Sequence, residues 1–257
     1  MDCPNNISHK GFKKLFDRLK FFDYPKPIDL IKHLLKIGTN PSDLILDFFA
    51  GSGTTAHAVM ELNKEDGGNR KFILVQLPEP TDLESEAYKA GYKTIADIAK
   101  ERIRRAAKKI QEELNEEKKK KNSNLDLGFK VFKLDESNFK QWRPFKPENA
   151  EQIKQAVMDF KQNVKSKAAT ENILYELMLK NGKKLTDKIE KSDNFYIIND
   201  GELVLLLDSV NNDTINEVIK SKPQKVIALD KIFNGNDQLK TNTVLQFKHA
   251  NIEFKSI

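Results

Sequence analysis

A single cysteine, Cys3, stands in 257 residues, so no intrachain disulfide can form and the staple that small secreted domains rely on is missing. The four histidines (His9, His33, His57 and His249) are scattered, without the paired spacing of a zinc site, and no metal is expected. Long apolar runs are lacking too. None approaches the roughly 20 residues of a membrane helix. Met1 to Lys20 is polar and basic, without the apolar stretch of a signal peptide. These absences exclude secretion and membrane insertion and predict a soluble, cytoplasmic protein with no membrane partner.

What the sequence has is charge. Asp, Glu, Lys and Arg make up 32% of it, with a formal net charge of +6. A basic balance attracts phosphate backbones and speeds encounter without reading base sequence. The 39% hydrophobic content is enough for a core, and the length suits one large domain or two modest ones.

Three stretches emerge along the chain. Residues 1–115 alternate short apolar runs with helical patterns. Ile28 to Ile37 reads as a helix with Ile31, Leu34 and Leu35 on one face, and Pro27 suits its first turn. Leu44 to Phe49 is a short apolar run of the kind buried on both faces of a sheet. Ala50-Gly51-Ser52-Gly53 turns the chain into a helix over Thr54 to Asn63, Gly67-Gly68-Asn69 breaks it, and Phe72 to Val75 is a second buried strand. Strand, helix, strand in about 30 residues is a βαβ unit, which implies a parallel sheet. Thr94 to Leu114 is a long helix with an inner stripe of Ala99, Ile103, Ala106, Ile110 and Leu114; Arg102, Arg104, Arg105, Lys108 and Lys109 are assigned to its outer face, which reads as a solvated face ahead of the alternative that it meets phosphates.

Residues 116–124 carry four consecutive lysines, Lys118 to Lys121, and no hydrophobe, so they read as a charged linker or an exposed helix end. Residues 125–257 look like a separate small α/β unit. Phe195 to Ile198 and Leu203 to Leu207 flank Asn199-Asp200-Gly201-Glu202, a hairpin signal. A helix over Asn212 to Lys220, a buried strand over Val226 to Leu229 and a final alternating strand over Ile252 to Ile257 follow. Leu239 to Phe247 is ambiguous and leans to helix. Trp142, Arg143 and Phe145 suit either base stacking or packing of the linker onto a domain.

The chemistry concentrates in Asp47-Phe48-Phe49-Ala50-Gly51-Ser52-Gly53-Thr54-Thr55. Gly51 and Gly53 let the backbone turn sharply and approach a ligand. The free N–H groups and positive dipole end of the following helix favour a carboxylate or other anion. Thr54 and Thr55 add hydroxyls, and Asp47 places a carboxylate where it can accept from an ammonium group. No lysine follows Gly53, which disfavours a nucleoside triphosphate loop. Gly51, Gly53 and Ala56 do satisfy Gly-x-Gly-x-x-Ala, a weak dinucleotide signal that keeps an oxidoreductase as a distant alternative.

The segment resembles the S-adenosylmethionine motif of DNA amino-methyltransferases, Asp-x-Phe-x-Gly-Ser-Gly-Thr-Thr. Phe22-Asp23-Tyr24-Pro25-Lys26-Pro27-Ile28-Asp29-Leu30-Ile31 resembles the motif just before it in the same family. Glu65 to Gln76, Tyr92 to Arg105 and the closing Asn251 to Ile257 resemble the modification (Mod) subunits of type III restriction systems in particular. The resemblance implies a partial Rossmann-like S-adenosylmethionine-dependent methyltransferase fold, followed by a small C-terminal α/β domain. It implies that Asp47, Phe48, Ala50, Gly51, Ser52, Gly53 and Thr54 line the methionine end of the cofactor, and that Tyr24, Lys26 and Pro27 close the pocket. The acidic residue that usually holds the ribose falls at Gln76, with Glu79 three positions on, and the choice between them stays open.

The same family carries an Asp/Asn/Ser-Pro-Pro-aromatic tetrapeptide that accepts the extruded base. No Pro-Pro pair occurs here, so no catalytic residue is assigned. In the motif order of type III subunits the catalytic motif comes first. The chain therefore reads as the later part of a longer adenine-N6 methyltransferase, truncated, split or made as a fragment, and inactive alone. Its implied partners are double-stranded DNA, a second modification subunit and the restriction subunit. The alternative reading is a non-catalytic module in which residues 125–257 serve docking.

Overall fold

A computed structural model of the chain describes residues 11–17, 19, 21–117, 125–140, 149–152, 154 and 163–257. The expectations for Lys118 to Lys121, Trp142, Arg143, Phe145, Cys3 and His9 lie outside these residues. The architecture is mixed α/β and divides into two compact units, residues 1–129 and 130–257.

In the first unit, helix α1 (Ile28–Gly38) leads to strand β1 (Leu44–Asp47), helix α2 (Thr54–Asp66), strand β2 (Lys71–Leu74), a short helix α3 (Glu86–Lys89) and helix α4 (Ile95–Glu117). The expected βαβ unit is present: β1 and β2 pair in parallel, with Leu44 opposite Lys71 and Asp47 opposite Leu74. Helix α2 is buried almost all round, through Thr54, Ala56 to Met60, Leu62 and Asn63. It packs against α1 through Leu35, Val59 and Leu62, and against α4 through Met60, Ile103 and Ile110. Thr94 caps α4 in a reciprocal box, its hydroxyl accepting from the Asp97 amide while the Asp97 carboxylate accepts from the Thr94 amide.

Three expectations need correcting. The strands are covered on one face rather than two. Ile45, Phe72 and Leu74 face the helices, whereas Leu44, Leu46, Ile73 and Val75 are exposed. Continuous apolar runs match sheets covered on both sides, but α1, α2 and α4 all pack on the same face. Arg102 does not lie on the solvated side of α4: it is 1% exposed. Its place three residues after Ala99 and four before Ala106 puts it on the inner stripe, and helical spacing outranks the polarity of the residue. Residues 125–129, which composition groups with the second stretch, belong to the first unit, where Leu125, Leu127 and Phe129 pack beside Ile103 and Ile110.

The second unit holds a five-stranded sheet in the order β3 (Ile189–Lys191), β4 (Tyr196–Ile198), β5 (Leu203–Leu206), β6 (Lys225–Ala228) and β7 (Glu253–Ser256). The first three strands are antiparallel and the last three parallel. The Asn199-Asp200-Gly201 turn forms the expected hairpin, with φ of 49°, 55° and 105°. Every residue of β5 is buried. Leu203 and Leu205 face helix α5 (Thr170–Lys180), while Val204 and Leu206 face helices α6 (Asn212–Lys220) and α7 (Asp237–His249). The ambiguous segment is thus helical. Helix α5 and strand β3 are additions that the sequence reading does not contain.

Because Leu205 sits in the middle strand with no exposed surface, Leu205→Ala should cost about 2–5 kcal/mol. Amide exchange on the intact chain checks this. Protection should fall across β4 to β6 and stay unchanged in α2 and α4, and a loss spread evenly over both units would contradict two separate cores.

Candidate cofactor-binding site

Strand β1 ends at Asp47, whose carboxylate is engaged twice. One oxygen accepts from the Phe49 amide at 3.0 Å and the other from the Thr55 hydroxyl at 2.5 Å. This ties the strand's last residue to the first turn of α2 and fixes the loop between them. The bend itself needs its glycines. Gly51 and Gly53 have φ of 52° and 77°, and a Cβ on Gly53 would stand 3.2 Å from the Ala99 carbonyl oxygen of α4. Gly51 donates its amide to the Gln76 side-chain oxygen at 2.7 Å, and Ala50 donates to the Val75 carbonyl at 3.1 Å. The end of β2 therefore holds the bend from below.

Behind the bend lies Arg102. Its Nη1 donates to Ser52 Oγ at 2.8 Å and to Thr54 Oγ1 at 2.7 Å. The guanidinium sits 5.3 Å from the Phe12 ring centre, and its Nε has no hydrogen-bond partner. Burial holds its pKa down to about 10, which leaves it cationic at neutral pH. No carboxylate forms an ion pair with it among the described residues. One turn into α2, His57 is buried with both ring nitrogens unbonded, and Glu61 Oε1 stands 3.5 Å from its Nε2. Burial pushes the imidazole below its ordinary range, so it is neutral. The contact with His57, followed by the Lys109 ammonium, holds Glu61 down to about 2.

The predicted site residues separate into two sets. Asp47, Ala50, Gly51, Ser52, Gly53, Thr54 and Gln76 are brought together by the hydrogen bonds just described. Phe48 projects outward, 64% exposed, beside Phe49 at 91%. Pro27 is buried as the residue preceding α1. Tyr24, Lys26 and Glu79 are exposed, and no hydrogen bond links their side chains to the bend among the described residues. The upstream motif reaches the bend through Phe22 instead, whose ring would lie 3.6 Å from a Cβ on Gly51. Phe22 and Arg102 are the residues that sequence reasoning missed. The three- and four-residue spacing around Arg102 was the signal for it. Beside the bend, Phe48, Phe49 and the strand face of Leu44, Leu46, Ile73 and Val75 are exposed, whereas Ala50, Ser52 and Thr54 are buried.

Residues 4–79 match the family profile described as DNA methylase. This stretch is similar to DNA methylases. The matched stretch contains the bend and most of the residues around it, though not Arg102. Over 133 residues, 51% of this chain, the sequence is 45% identical to the Mod subunit of the type III restriction-modification enzyme StyLTI from Salmonella typhimurium. It is 51% identical over 90 residues, 35% of the chain, to the EcoPI Mod subunit of Escherichia phage P1. To the EcoP15I Mod subunit of Escherichia coli it is 41% identical over 129 residues, 50% of the chain. The matches cover 20%, 14% and 18% of those relatives respectively, so the chain spans about a fifth of their length or less.

Two outcomes follow from the geometry of the bend. Gly53→Ala should destabilise by more than Gly67→Ala. Both positions have positive φ, at a cost of about 1 kcal/mol for a side chain, but only Gly53 also faces backbone at 3.2 Å, whereas Gly67 has nothing within 4 Å. Urea unfolding of the two variants measures the difference, and equal losses would refute the close approach.

The second outcome concerns pH. An imidazole whose folded pKa lies below 6.5 resists a proton that the unfolded chain accepts, so its contribution is complete above pH 6.5 and falls below it. Glu61 adds a further loss as pH drops from 4.5 toward 2. Thermal midpoints between pH 8 and pH 5 should decline below 6.5, and His57→Leu should flatten that decline.

Proposed function

We propose that the first unit binds S-adenosylmethionine and supplies the methyl-donor half of a Rossmann-like DNA adenine-N6 methyltransferase belonging to a type III restriction-modification system. The observation that carries this reading is the two-glycine bend between β1 and α2, with the Asp47 carboxylate on one side and an uncapped helix N-terminus on the other. A zwitterionic amino-acid end fits that pairing: its ammonium group lies toward Asp47 and its carboxylate toward the first amides of α2. Gly53, the residue before α2, offers no side-chain cap, and no acidic residue occupies the first turn. Gln76 and Glu79 remain the two candidates for the ribose hydroxyls; Gln76 already spends its side-chain oxygen on Gly51, which leaves its NH2 group as the donor. Tyr24, Lys26 and Pro27 are the residues assigned on this reading to close the pocket.

On this reading the transfer itself is an in-line displacement. It needs positioning and exclusion of water rather than a covalent intermediate. The residues that accept the target base lie outside these 257, since the chain contains no Pro-Pro pair. The apolar face formed by Leu44, Leu46, Ile73 and Val75 is the surface that such a segment covers, and a parallel pair calls for cover on both faces. The second unit, with two cores of its own, is assigned to docking on a second modification subunit or the restriction subunit, and double-stranded DNA is the substrate of the assembled enzyme. The chain alone should not methylate DNA.

Calorimetry with S-adenosylhomocysteine tests the reading. The wild-type chain should bind, and Gly51→Trp, which sets a large ring at the bend beside Phe22, should abolish the heat. Absence of binding by the wild type, or undiminished binding by Gly51→Trp, would rule out the bend as the donor site.

A further inference from the structure

Arg102 is difficult to explain as a packing residue. It is among the largest fully buried side chains of the chain, with 1% of its surface exposed, yet no carboxylate offsets its charge among the described residues. A cation taken out of water without a counter-charge is costly. The two bonds it does make go to neutral hydroxyls, on Ser52 and Thr54, which flank Gly53 at the bend. Both hydroxyls are themselves buried.

The direction of those bonds matters. A guanidinium only donates, so Ser52 Oγ and Thr54 Oγ1 both act as acceptors toward it. Each oxygen uses a lone pair on Nη1, and its own hydrogen has to point elsewhere. Arg102 therefore fixes two hydroxyls as donors, on either side of Gly53, beside a helix start without a capping side chain or an acidic residue in its first turn. An electron-rich ligand group placed there meets two hydroxyl protons, the first amides of α2 and, one layer back, an unneutralised positive charge. Polarisation by the cation makes the hydroxyls better donors than they would be in its absence.

We infer that Arg102 is a positioning residue for the carboxylate end of the methyl donor, acting through the hydroxyls of Ser52 and Thr54 and supplying from behind the bend the charge that the bound carboxylate balances. This rests on the S-adenosylmethionine reading of the bend and adds to it the source of selectivity for the amino-acid portion. Arg102 is not required to touch the ligand. Its field and its hold on the two hydroxyls are what the ligand senses, and the charge left uncompensated in the fold is compensated on binding.

The test compares two ligands that share the nucleoside and thioether and differ in the amino-acid end: S-adenosylhomocysteine and 5′-methylthioadenosine. Calorimetry is run on the intact chain and on Arg102→Met, which keeps much of the side chain's length but removes its charge. Affinity for S-adenosylhomocysteine should fall about tenfold, or about 1.4 kcal/mol, while affinity for 5′-methylthioadenosine changes less than about twofold. Arg102→Lys, which keeps a cation in place, should recover part of the loss. A residue serving only to hold the bend in shape would weaken both ligands equally, and that result, or an unchanged ratio of the two affinities, overturns the inference. If Arg102→Met does not fold, Ser52→Ala combined with Thr54→Val removes the donors while leaving the arginine, and must give the same selective loss; an unchanged ratio there overturns it equally. A wild-type chain that binds neither ligand removes the donor-site reading and this inference together. Equal losses in a chain that does bind remove this inference alone.

Discussion

The first unit depends on how closely α4 can approach the bend before α2. With hydrogen in place of a side chain, Gly53 lets the Ala99 turn of α4 come within ordinary contact of the loop backbone. That approach places Arg102, one turn further along, directly against Ser52 and Thr54. It also brings Ile103 and Ile110 onto Ala56 and Met60, so the same helix seals the core and backs the site. Asp47 and Gln76 hold the loop from the strand side, through the Thr55 hydroxyl and the Gly51 amide. The bend is thus clamped between the ends of two strands and one long helix.

The clamp works from one side of the sheet only. Three helices pack on the face bearing Ile45, Phe72 and Leu74, while Leu44, Leu46, Ile73 and Val75 carry none of that cover. The bare face continues into the exposed rings of Phe48 and Phe49 beside the bend. Burying apolar surface is worth about 25 cal/mol per Å², so a surface of this kind gains from a partner as a wholly polar one does not. The site and the uncovered face share the same strand ends, and any segment covering the face would also border the bend.

Much of this was legible in the sequence because the signals were local. The glycine bend, the βαβ spacing, the hairpin around Asp200-Gly201 and the helices over 28–37, 54–63 and 212–220 all follow from turn chemistry and periodicity within a dozen residues. Non-local facts were not legible. An apolar run such as Leu44 to Phe49 reports that a strand avoids water, but not which of its faces this chain itself covers. Helix α5 carries its stripe in Ile173, Leu174, Leu177 and Met178, a pattern as regular as the others and simply passed over. Arg102 failed for a different reason. Its spacing placed it inward while its charge argued outward, and the sequence holds no statement of what could receive a buried cation. Ser52 and Thr54 receive it, some 50 residues upstream, and that pairing exists only in three dimensions. Within the site itself, the residues of the bend were readable one by one, whereas the exposure of Tyr24, Lys26 and Glu79 was not.

A buried, unpaired arginine is poor material for stability. Replacing a buried ionic group with a well-packed apolar one is often neutral or stabilising, and the aromatic neighbour at this position, Phe12, would accept an aliphatic chain readily. The partnerless Nε adds a further unmet demand. Disagreement between local chemistry and packing is expected chiefly where a protein does something other than fold. Here the disagreement coincides with two others: a helix start without a capping side chain and two glycines at positive φ. Each is tolerable alone, but the glycines and the uncapped helix start fall within four residues of chain, Gly51 to Thr54, and Arg102 joins them across the fold through Ser52 and Thr54. That convergence, more than any single residue, is what singles out the bend within the first unit.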